Sequence, residues 1–383
     1  MSSKTYLTCV GTRPEIIKMA VLHRLLQSQG HRMVLLHTGQ HEAMAHALYD
    51  FFQMPPDVTL DLRRKSASLS DLTVALMEGV DQVMTDVRPD AVLVQGDTTS
   101  ALVGALVANY HDRPVAHIEA GLRTHEHDPF PEEKNRVLIG QLAHWHFPPT
   151  DRASANLHSE GVPAERVFQV GNTVIDATHW TRDRLLDGTH DASRYMPAPL
   201  KDFLNRFPHQ PLILITAHRR ENWGEPIRDI ARATAALVER FPEAIAVWPV
   251  HPNPAVRADV EATLERVGTQ ARPRICVTEP LSYPALIALL MRCQFTLTDS
   301  GGIQEEASAL GKPVLVARLS TERQELIEAG GAVLVGTQVE NILKQATVLL
   351  TDATARERMR LATSPFGDGR SAERIAQVLA TTS

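Results

Sequence analysis

Cysteine is scarce in this chain, and long apolar runs are absent from it. The 383 residues include three cysteines, Cys9, Cys276 and Cys293, which form no Cys-x-x-Cys pair. Their number and spacing indicate no disulfide framework of the kind that small secreted domains use. The first apolar run, residues 6–10, is too short to span a membrane, and no signal-peptide cleavage pattern follows it. These absences predict a cytoplasmic protein with no membrane partner.

An excess of basic residues is also lacking. The formal net charge is −6 at pH 7, with 39 lysines and arginines against 45 aspartates and glutamates. A nucleic-acid-binding surface needs a basic patch or stripe, so no nucleic-acid partner is expected. The glycine fingerprint of nicotinamide-dinucleotide sites and the nucleophile elbow of α/β-hydrolases are missing as well. The sequence therefore favours neither a dinucleotide-dependent dehydrogenase nor a serine hydrolase.

Short apolar runs alternate with longer amphipathic segments along the chain. The apolar runs predict β-strands at residues 6–10, 33–37, 91–94, 115–118, 167–170, 212–216, 244–248, 274–277, 295–298, 314–316 and 333–335. Amphipathic segments between them, for example 69–87 and 227–240, predict helices. Near-continuous apolar strands joined by helices are typical of parallel sheets that helices cover on both faces. The predicted fold class is α/β.

The chain is too long for one ordinary hydrophobic core, so two domains are expected. Residues 1–172 form the predicted N-terminal Rossmann-like domain, and residues 173–364 form a C-terminal Rossmann-like domain. A proline- and glycine-rich stop at 365–369 precedes a last helix, so residues 365–383 are expected to pack back on the first domain. Two such domains favour a ligand at the carboxyl ends of the strands, in the interdomain cleft.

Charged residues follow the predicted strands of the first domain. Arg13 and Lys18 follow the first strand, where they form either an anion site or the solvated start of a helix. Asp97 and Glu119 follow the third and fourth strands, and Glu132 opens a later helix. Helix capping and helix-dipole stabilisation are the alternative roles of Asp97 and Glu132. The three carboxylates are nevertheless expected to converge on one sheet edge, as general acid–base chemistry requires.

Two histidines follow strands of the second domain. His218 is suited to titrate near neutral pH, and its alternative role is a loop histidine that the backbone satisfies. For His251 a structural role is favoured. In the first domain, His125 and His127 are separated by one residue and resemble metal ligands, but no third ligand is placed with them. A loop is the favoured interpretation there, and no metal is expected.

The most specific segment of the second domain is 298–306, where a strand ends and a helix begins. Gly301 and Gly302 allow a ligand to approach the backbone closely, and the free N–H groups of the helix start form an anion site. Glu306 lies one helical turn further, where its carboxylate is suited to accept ribose hydroxyls. An N-cap role for Ser300 is the alternative.

Several motifs together resemble one family. They are Gly11-Thr12-Arg13-Pro14-Glu15, Gly96-Asp97-Thr98-Thr99, Glu119-Ala120-Gly121-Leu122-Arg123-Thr124, Pro131-Glu132-Glu133, Gly171-Asn172-Thr173-Val174-Ile175-Asp176, His218-Arg219-Arg220-Glu221-Asn222 and Asp299-Ser300-Gly301-Gly302-Ile303-Gln304-Glu305-Glu306. In this order, and over nearly the whole chain, they resemble the bacterial non-hydrolysing UDP-N-acetylglucosamine 2-epimerases. The resemblance implies a GT-B-like fold and a homodimer that acts on a UDP-sugar with no redox cofactor and no required metal.

The resemblance also implies a reaction and a set of site residues. UDP-N-acetylglucosamine and UDP-N-acetylmannosamine are interconverted through elimination of UDP to 2-acetamidoglucal and its re-addition, typically for surface polysaccharide synthesis. The active-site positions of the family fall here on Arg13, Lys18, Asp97, Glu119, Glu132 and His218. The nucleotide-binding positions fall on Ser300, Gly301, Gly302, Glu306 and Arg323, with Tyr283 at the uracil pocket.

This chain departs from the family pattern at three places. Gln324 stands where a proline is usual after Arg323, and Leu286 stands where phenylalanine is common. Ser66 and Ala67 occupy the positions of an Arg-Gln pair that binds an activating second substrate molecule in some members. Other residues of that second site are retained, namely Gln40, Arg219 and His251. We therefore expect weak or absent substrate activation.

Other functions stay open at this point. A GT-B glycosyltransferase shares the fold and the nucleotide site, although the three carboxylates argue against it. A hydrolysing epimerase, an epimerase for a related UDP-2-acetamido sugar and a non-enzymatic nucleotide-sugar sensor are the further alternatives.

Overall fold

The computed structural model describes residues 3–39, 42–266 and 271–381, with no side-chain placement for 42–44. The chain divides into two compact units, and each has its own parallel sheet. The first unit comprises Met1–Ala177 and Phe366–Ser383, and the second comprises Thr178–Pro365.

The first unit is a six-stranded sheet with helices on its faces. Its strands are β1 (Thr5–Val10), β2 (Arg32–His37), β3 (Val58–Thr59), β4 (Ala91–Gln95), β5 (Val115–Ile118) and β6 (Trp145–Phe147). Its helices up to the unit boundary are α1 (Arg13–Ser28), α2 (Glu42–Phe52), α3 (Leu69–Val87), α4 (Thr99–Tyr110), α5 (Glu132–Leu142), α6 (Asp151–Ser159) and α7 (Thr173–Leu186), the last of which crosses that boundary. The strand order is β3-β2-β1-β4-β5-β6, and neighbouring strands are parallel.

The predicted strand at 167–170 is wrong, and the sixth strand lies earlier in the chain. Val167 forms one isolated bridge with His146 on β6, and the Phe168 and Val170 N–H groups bond to the His146 and Pro148 carbonyls. The apolar run at 167–170 reflects packing along the sheet edge rather than a continuous ladder. The β6 strand itself is three residues long with a central histidine, which is too short to give a clear apolar pattern.

The second unit has a six-stranded sheet of its own. Its elements are α8 (Ala198–Arg206), β7 (Leu212–Thr216), α9 (Glu225–Arg240), β8 (Ile245–Pro249), α10 (Pro254–Glu265), β9 (Ile275–Thr278), α11 (Tyr283–Arg292), β10 (Phe295–Thr298), α12 (Gly301–Ala309), β11 (Val314–Val316), α13 (Gln324–Glu328), β12 (Ala332–Leu334), α14 (Val339–Thr351) and α15 (Ala353–Met359). The strand order is β12-β11-β10-β7-β8-β9, again with parallel neighbours. Short 3-10 helices lie at Ala164–Arg166, Ala192–Tyr195, Arg220–Asn222 and Arg272–Arg274.

Helix periodicity explains how the second sheet is covered. On α9, Ile227, Ile230 and Leu237 are buried against the sheet, whereas Arg232 and Glu239 are exposed. An apolar stripe of this spacing occupies one face of an α-helix. The strands are buried on both faces because helices lie on either side of them, which gives the continuous apolar runs of the sequence.

The last helix, α16 (Ser371–Thr381), packs against α1 within the first unit. Its N-terminus is held by Asp176, whose carboxylate accepts the N–H groups of Ser371 at 3.2 Å and Ala372 at 2.8 Å. A carboxylate at a helix N-terminus satisfies unpaired donors and interacts favourably with the helix dipole. In the part of the chain that the structure describes, no helix has the length and apolarity that a membrane crossing requires.

Candidate active site

The carboxyl ends of neighbouring strands bring the first unit's motifs together. β1, β4 and β5 are adjacent in the sheet, and the chain leaves them at Gly11, Gly96 and Glu119 respectively. Glu15 connects two of these loops, because its carboxylate accepts the N–H of Gly11 at 3.0 Å and the hydroxyl of Thr98 at 2.6 Å. The parallel sheet therefore puts Asp97 and Glu119 on neighbouring loops.

Glu119 is a buried carboxylate surrounded by donors. Its backbone has φ of 64°, in the left-handed region that residues other than glycine rarely adopt. Lys18 Nζ lies 2.5 Å from Oε2, the Gln95 amide donates to the same oxygen, and Asn172 Nδ2 lies 3.4 Å from Oε1. Backbone strain of this kind persists only where surrounding contacts hold it, and it concentrates at functional sites.

Asp97 has a different environment, with one strong cationic partner. Arg136, on the second turn of α5, donates to Asp97 Oδ2 from Nε at 3.1 Å and from a terminal nitrogen at 2.6 Å. Burial raises the pKa of Asp97, and the Arg136 guanidinium opposes that shift without cancelling it. A carboxyl group with a raised pKa is better suited to hold and release a proton near neutral pH.

Glu132 and Glu133 begin the same helix but have different surroundings. Glu133 is buried and accepts the N–H groups of Thr124 at 3.1 Å and His125 at 3.0 Å. Burial alone raises its pKa, but these donors and Arg136 outweigh burial, so the pKa of Glu133 lies below its ordinary value. Glu133 therefore holds the loop in place as a charged group, whereas Glu132 is half-buried at the first position of α5.

The two predicted cations lie at different depths on α1. Arg13 is half-buried at the first position of the helix. Lys18 is buried one turn further and contacts Glu119 directly. Lys18 thus neutralises a carboxylate of the site in this structure.

In the second unit, one buried carboxylate fixes the loop that carries His218. Asp299 follows β10 and accepts the N–H groups of His218 at 2.9 Å and Arg219 at 2.8 Å, as well as the amide of Asn222 at 2.8 Å. The His218 ring stays exposed, with Nδ1 3.6 Å from the nearer Asp299 oxygen. An exposed ring on a loop that a buried carboxylate holds is well placed to contact a ligand.

The start of α12 forms the second anchor of this unit. Arg323 pairs with Glu305 at 2.8 Å, and its guanidinium lies against the backbone of Gly301. A β-carbon at Gly301 would lie 2.9 Å from Arg323 Cζ, so this close approach requires glycine. The half-buried Ser300 precedes the helix and Gly302 continues it. A guanidinium beside free helix N–H groups is an arrangement that binds phosphate.

Tyr283 and Glu306 are both buried in the second unit. The Tyr283 hydroxyl lies 3.2 Å from the hydroxyl of Thr178. Burial raises the pKa of Tyr283 well above its ordinary value, and the negative charge of Glu306 adds to the effect. The phenol is therefore uncharged at neutral pH and available only as a hydrogen-bonding group.

Sequence reasoning missed the residues that hold the charged groups in place. Gln95 and Asn172 contact Glu119, Arg136 contacts Asp97, and Glu305 contacts Arg323. One signal was available for Gln95, a polar residue at the end of an otherwise apolar strand. The contacts of the other three join distant segments, so spacing alone does not reveal them.

The candidate second site is described only in part. Arg219 lies 3.7 Å from Glu322, and the His251 ring accepts the Asn253 N–H at 3.1 Å. Ser66 and Ala67 are exposed. Gln40 lies outside the described residues. No group of three or more potential metal ligands is found among the residues that the structure describes.

Comparisons with known proteins agree on one family. A family model described as UDP-N-acetylglucosamine 2-epimerase matches residues 23–380. The UDP-N-acetylglucosamine 2-epimerase of Yersinia pestis is 42% identical over 380 residues, covering 97% of this chain and 97% of that protein. A putative UDP-N-acetylglucosamine 2-epimerase of Thermotoga maritima is 43% identical over 375 residues, covering 97% and 95%.

A solved structure is also similar over the whole chain. The UDP-GlcNAc 2-epimerase of Neisseria meningitidis bound to UDP-GlcNAc superposes with a TM-score of 0.86 at 38% identity, covering 99% of this chain and 100% of that one. The two six-stranded parallel sheets are those of a GT-B-like fold, as predicted. The chain belongs to the UDP-N-acetylglucosamine 2-epimerase family of isomerases.

Proposed function

We propose that this protein interconverts UDP-N-acetylglucosamine and UDP-N-acetylmannosamine without net hydrolysis. The observation that carries the proposal is the pair of carboxyl groups on adjacent loops, Asp97 and Glu119, which have different environments. Asp97 is half-buried beside one guanidinium, whereas Glu119 is buried and held by a lysine and two amides. Two acidic groups with distinct surroundings are suited to distinct acid and base roles.

The chemistry at C2 of the sugar demands such a pair. The C2 proton has no adjacent carbonyl group, so direct removal and return of that proton is difficult. Elimination of UDP across C1–C2 gives enzyme-bound 2-acetamidoglucal, and UDP re-adds with a proton delivered to the opposite face of C2. This route needs acid–base groups on both faces of the sugar.

We assign the roles of the first unit accordingly. Asp97 and Glu119 handle the C2 protons, and Glu132 positions the sugar or assists. Lys18 keeps a positive charge against Glu119 and so limits the electrostatic cost of two carboxylates on neighbouring loops. The raised pKa of Asp97 supports its part in proton transfer.

The second unit is assigned to the nucleotide. The α12 start at Ser300–Gly302, together with Arg323 and His218, is proposed to stabilise the negative charge that develops on the departing diphosphate. Arg13, at the start of α1, is proposed as a substrate-binding cation of the first unit. Glu306 is proposed to accept the ribose hydroxyls, and Tyr283 to border the uracil. The choice of ligand is supported by two relatives of known structure, which are complexes with UDP-GlcNAc.

We further propose a cytoplasmic homodimer that needs neither a metal nor an organic cofactor. The three cysteines support the compartment, because all are buried free thiols, which suit a reducing environment. Light scattering coupled to size exclusion would test the dimer directly.

The function itself is tested by proton NMR of the purified protein with UDP-N-acetylglucosamine in D2O, without metal or acceptor. The expected result is UDP-N-acetylmannosamine with deuterium at C2. Free N-acetylmannosamine plus UDP would instead identify a hydrolysing epimerase. Binding without turnover would contradict the proposal and favour a related UDP-sugar substrate, a transferase or a sensor.

A further inference from the structure

His117 is a fully buried histidine that contacts the loop carrying Asp97. It lies on β5, two residues before Glu119, and its Nε2 donates to the carbonyl oxygen of Gly96 at 2.7 Å. Burial lowers the pKa of His117 to about 3, so the ring is neutral at physiological pH. Because a carbonyl oxygen only accepts hydrogen bonds, Nε2 carries the proton. Within the described residues, Nδ1 has no hydrogen-bond partner.

The peptide that His117 contacts is the one that leads into Asp97. The Gly96 N–H donates to the carbonyl of Ile118 at 2.9 Å, and the Gly96 carbonyl accepts from His117. Gly96 has φ of 70°, in the left-handed region that glycine adopts readily. The N–H and the carbonyl of Gly96 are thus both bound to β5, the strand that Glu119 directly follows.

The next carbonyl is also held by a side chain. Asn135 Nδ2, on α5, donates to the backbone oxygen of Asp97 at 2.8 Å. The two carbonyls that flank the Asp97 Cα atom are therefore bound by His117 on one side and Asn135 on the other. Asp97 lies in a turn between β4 and α4, outside the strand ladders of the sheet. The two side-chain bonds therefore satisfy carbonyl groups that a strand ladder would satisfy within a sheet.

We propose that His117 is a positioning residue for Asp97. Its ring fixes the rotation of the Gly96–Asp97 peptide, which directs the Asp97 carboxylate towards Arg136 and the reacting sugar. The proposal rests on the function proposed above, in which Asp97 takes part in proton transfer. A buried, neutral ring with this bond does not itself transfer the C2 proton.

The neighbouring strand offers a matched control. His146 on β6 is in register with His117, and it is as deeply buried. Burial lowers the pKa of His146 to about 4, and its ring bonds the backbone of Ala143 rather than the Asp97 turn. Replacing His146 therefore reproduces the loss of a buried histidine from the same sheet without touching the Gly96 carbonyl.

Four variants test the proposal: His117→Met, His117→Gln, His146→Met and His146→Gln. Methionine has similar volume and no donor, whereas glutamine carries an amide N–H at about the reach of Nε2. We expect His117→Met to lower kcat roughly 10- to 100-fold, because a small displacement of a catalytic group is costly. KM and the dissociation constant of UDP should change less than about 2-fold, and His117→Gln should recover most of kcat. The His146 variants should keep kcat within about 3-fold.

Hydrogen exchange provides a readout that does not depend on turnover. Amide exchange in residues 95–98 should be faster in His117→Met than in His146→Met, with His117→Gln in between. Wild-type kcat in His117→Met, an equal loss in His146→Met or no recovery in His117→Gln would overturn the proposal. If the wild-type protein showed no epimerase activity, the proposed function would be overturned instead. The hydrogen-exchange comparison would still test whether His117 holds the Asp97 turn.

Discussion

The guanidinium of Arg136 donates two hydrogen bonds to a single oxygen of Asp97, at 3.1 and 2.6 Å. Another terminal nitrogen of the same group lies 3.1 Å from Glu133. One arginine therefore connects a candidate proton-transfer group to a carboxylate that holds the loop. Arg136 lowers the pKa of both carboxyl groups, but the net shifts are opposite: burial leaves the pKa of Asp97 raised, whereas at Glu133 the backbone donors and Arg136 outweigh burial and leave the pKa lowered.

Replacing Asp97 by asparagine should lower kcat by about 100-fold or more without destabilising the fold at neutral pH. Proton transfer by one group typically contributes at least about 100-fold to kcat, so a loss of that order is expected. Because the folded-state pKa of Asp97 is raised, folding favours its protonated form, and the wild type loses this contribution as pH rises through that pKa. The stability of Asp97→Asn relative to wild type should therefore increase with pH in urea titrations.

The control for that variant is Glu133→Gln. Glu133 accepts two backbone N–H groups, and its lowered pKa means that its ionised form stabilises the fold at neutral pH. The variant should lose about 1–3 kcal/mol of unfolding free energy, because the uncharged amide keeps one acceptor oxygen for the backbone N–H groups but places its NH2 group where Oε2 faces Arg136. This cost should shrink as pH falls through the lowered pKa. Greater stability of Glu133→Gln at pH 7 would contradict the assignment.

Removing the charge of Arg136 should move the pH–rate profile. Arg136 lowers the pKa of Asp97 against the effect of burial, so Arg136→Met leaves burial unopposed. The ionisation of Asp97 should then occur at higher pH, and the corresponding limb of the kcat/KM profile should move upward. Arg136→Lys keeps the positive charge and should shift the limb less. An unmoved limb in Arg136→Met would show that Asp97 does not control it.

Alanine substitutions at the two neighbouring glycines of the α12 start should have different effects. A β-carbon at Gly301 would lie 2.9 Å from Arg323 Cζ, so Gly301→Ala should displace the guanidinium and weaken UDP binding about 10-fold or more. At Gly302 the nearest atom is 4.0 Å away, and alanine should raise stability by about 0.4–1 kcal/mol. Isothermal titration with UDP and thermal unfolding would measure both effects. Equal UDP affinity in Gly301→Ala would argue against a role of the Arg323 position.

Proline should be accepted at Gln324. This residue occupies the first position of α13, where an N–H group is not needed, and its side-chain amide donates to the Thr321 carbonyl at 2.7 Å. Gln324→Ala should cost about 0.5–1.5 kcal/mol through loss of that bond. Gln324→Pro should offset the same loss by restricting the unfolded chain. A proline variant less stable than the alanine variant would show that the loop excludes proline.

Initial rates should depend hyperbolically on UDP-N-acetylglucosamine. Ser66 and Ala67 are short, exposed and uncharged, so they offer no guanidinium to bind a second substrate molecule. The reverse reaction from UDP-N-acetylmannosamine should likewise start without a lag. A sigmoidal rate curve that becomes hyperbolic when UDP-N-acetylglucosamine is added, in the reaction that starts from UDP-N-acetylmannosamine, would contradict this prediction.

Local sequence patterns were sufficient for most of the fold. Ten of the predicted apolar runs overlap strands of the structure, because strands covered on both faces must be apolar throughout. Residues 167–170 were the exception, since an apolar segment beside a sheet edge has the same composition as a strand. Two α/β sheets also followed from the alternation of runs and helices.

For the candidate site, the sequence predicted the residues but not their surroundings. Glycines, carboxylates and the histidine after strand ends were visible in the sequence, because chain direction in a parallel sheet puts strand ends at one edge. The environments of these residues were not visible, because each depends on contacts between segments that are far apart in the sequence. These contacts are the ion pairs Lys18–Glu119 and Arg136–Asp97 and the hydrogen bond from His117 to Gly96. Burial and hydrogen-bond partners set proton affinity and orientation, and both arise only when distant segments pack. The sequence thus determined which groups stand at the site, whereas the tertiary structure decided which carboxyl pKa is raised and which is lowered, which carboxylate is buried beside a cation and which contacts hold each group.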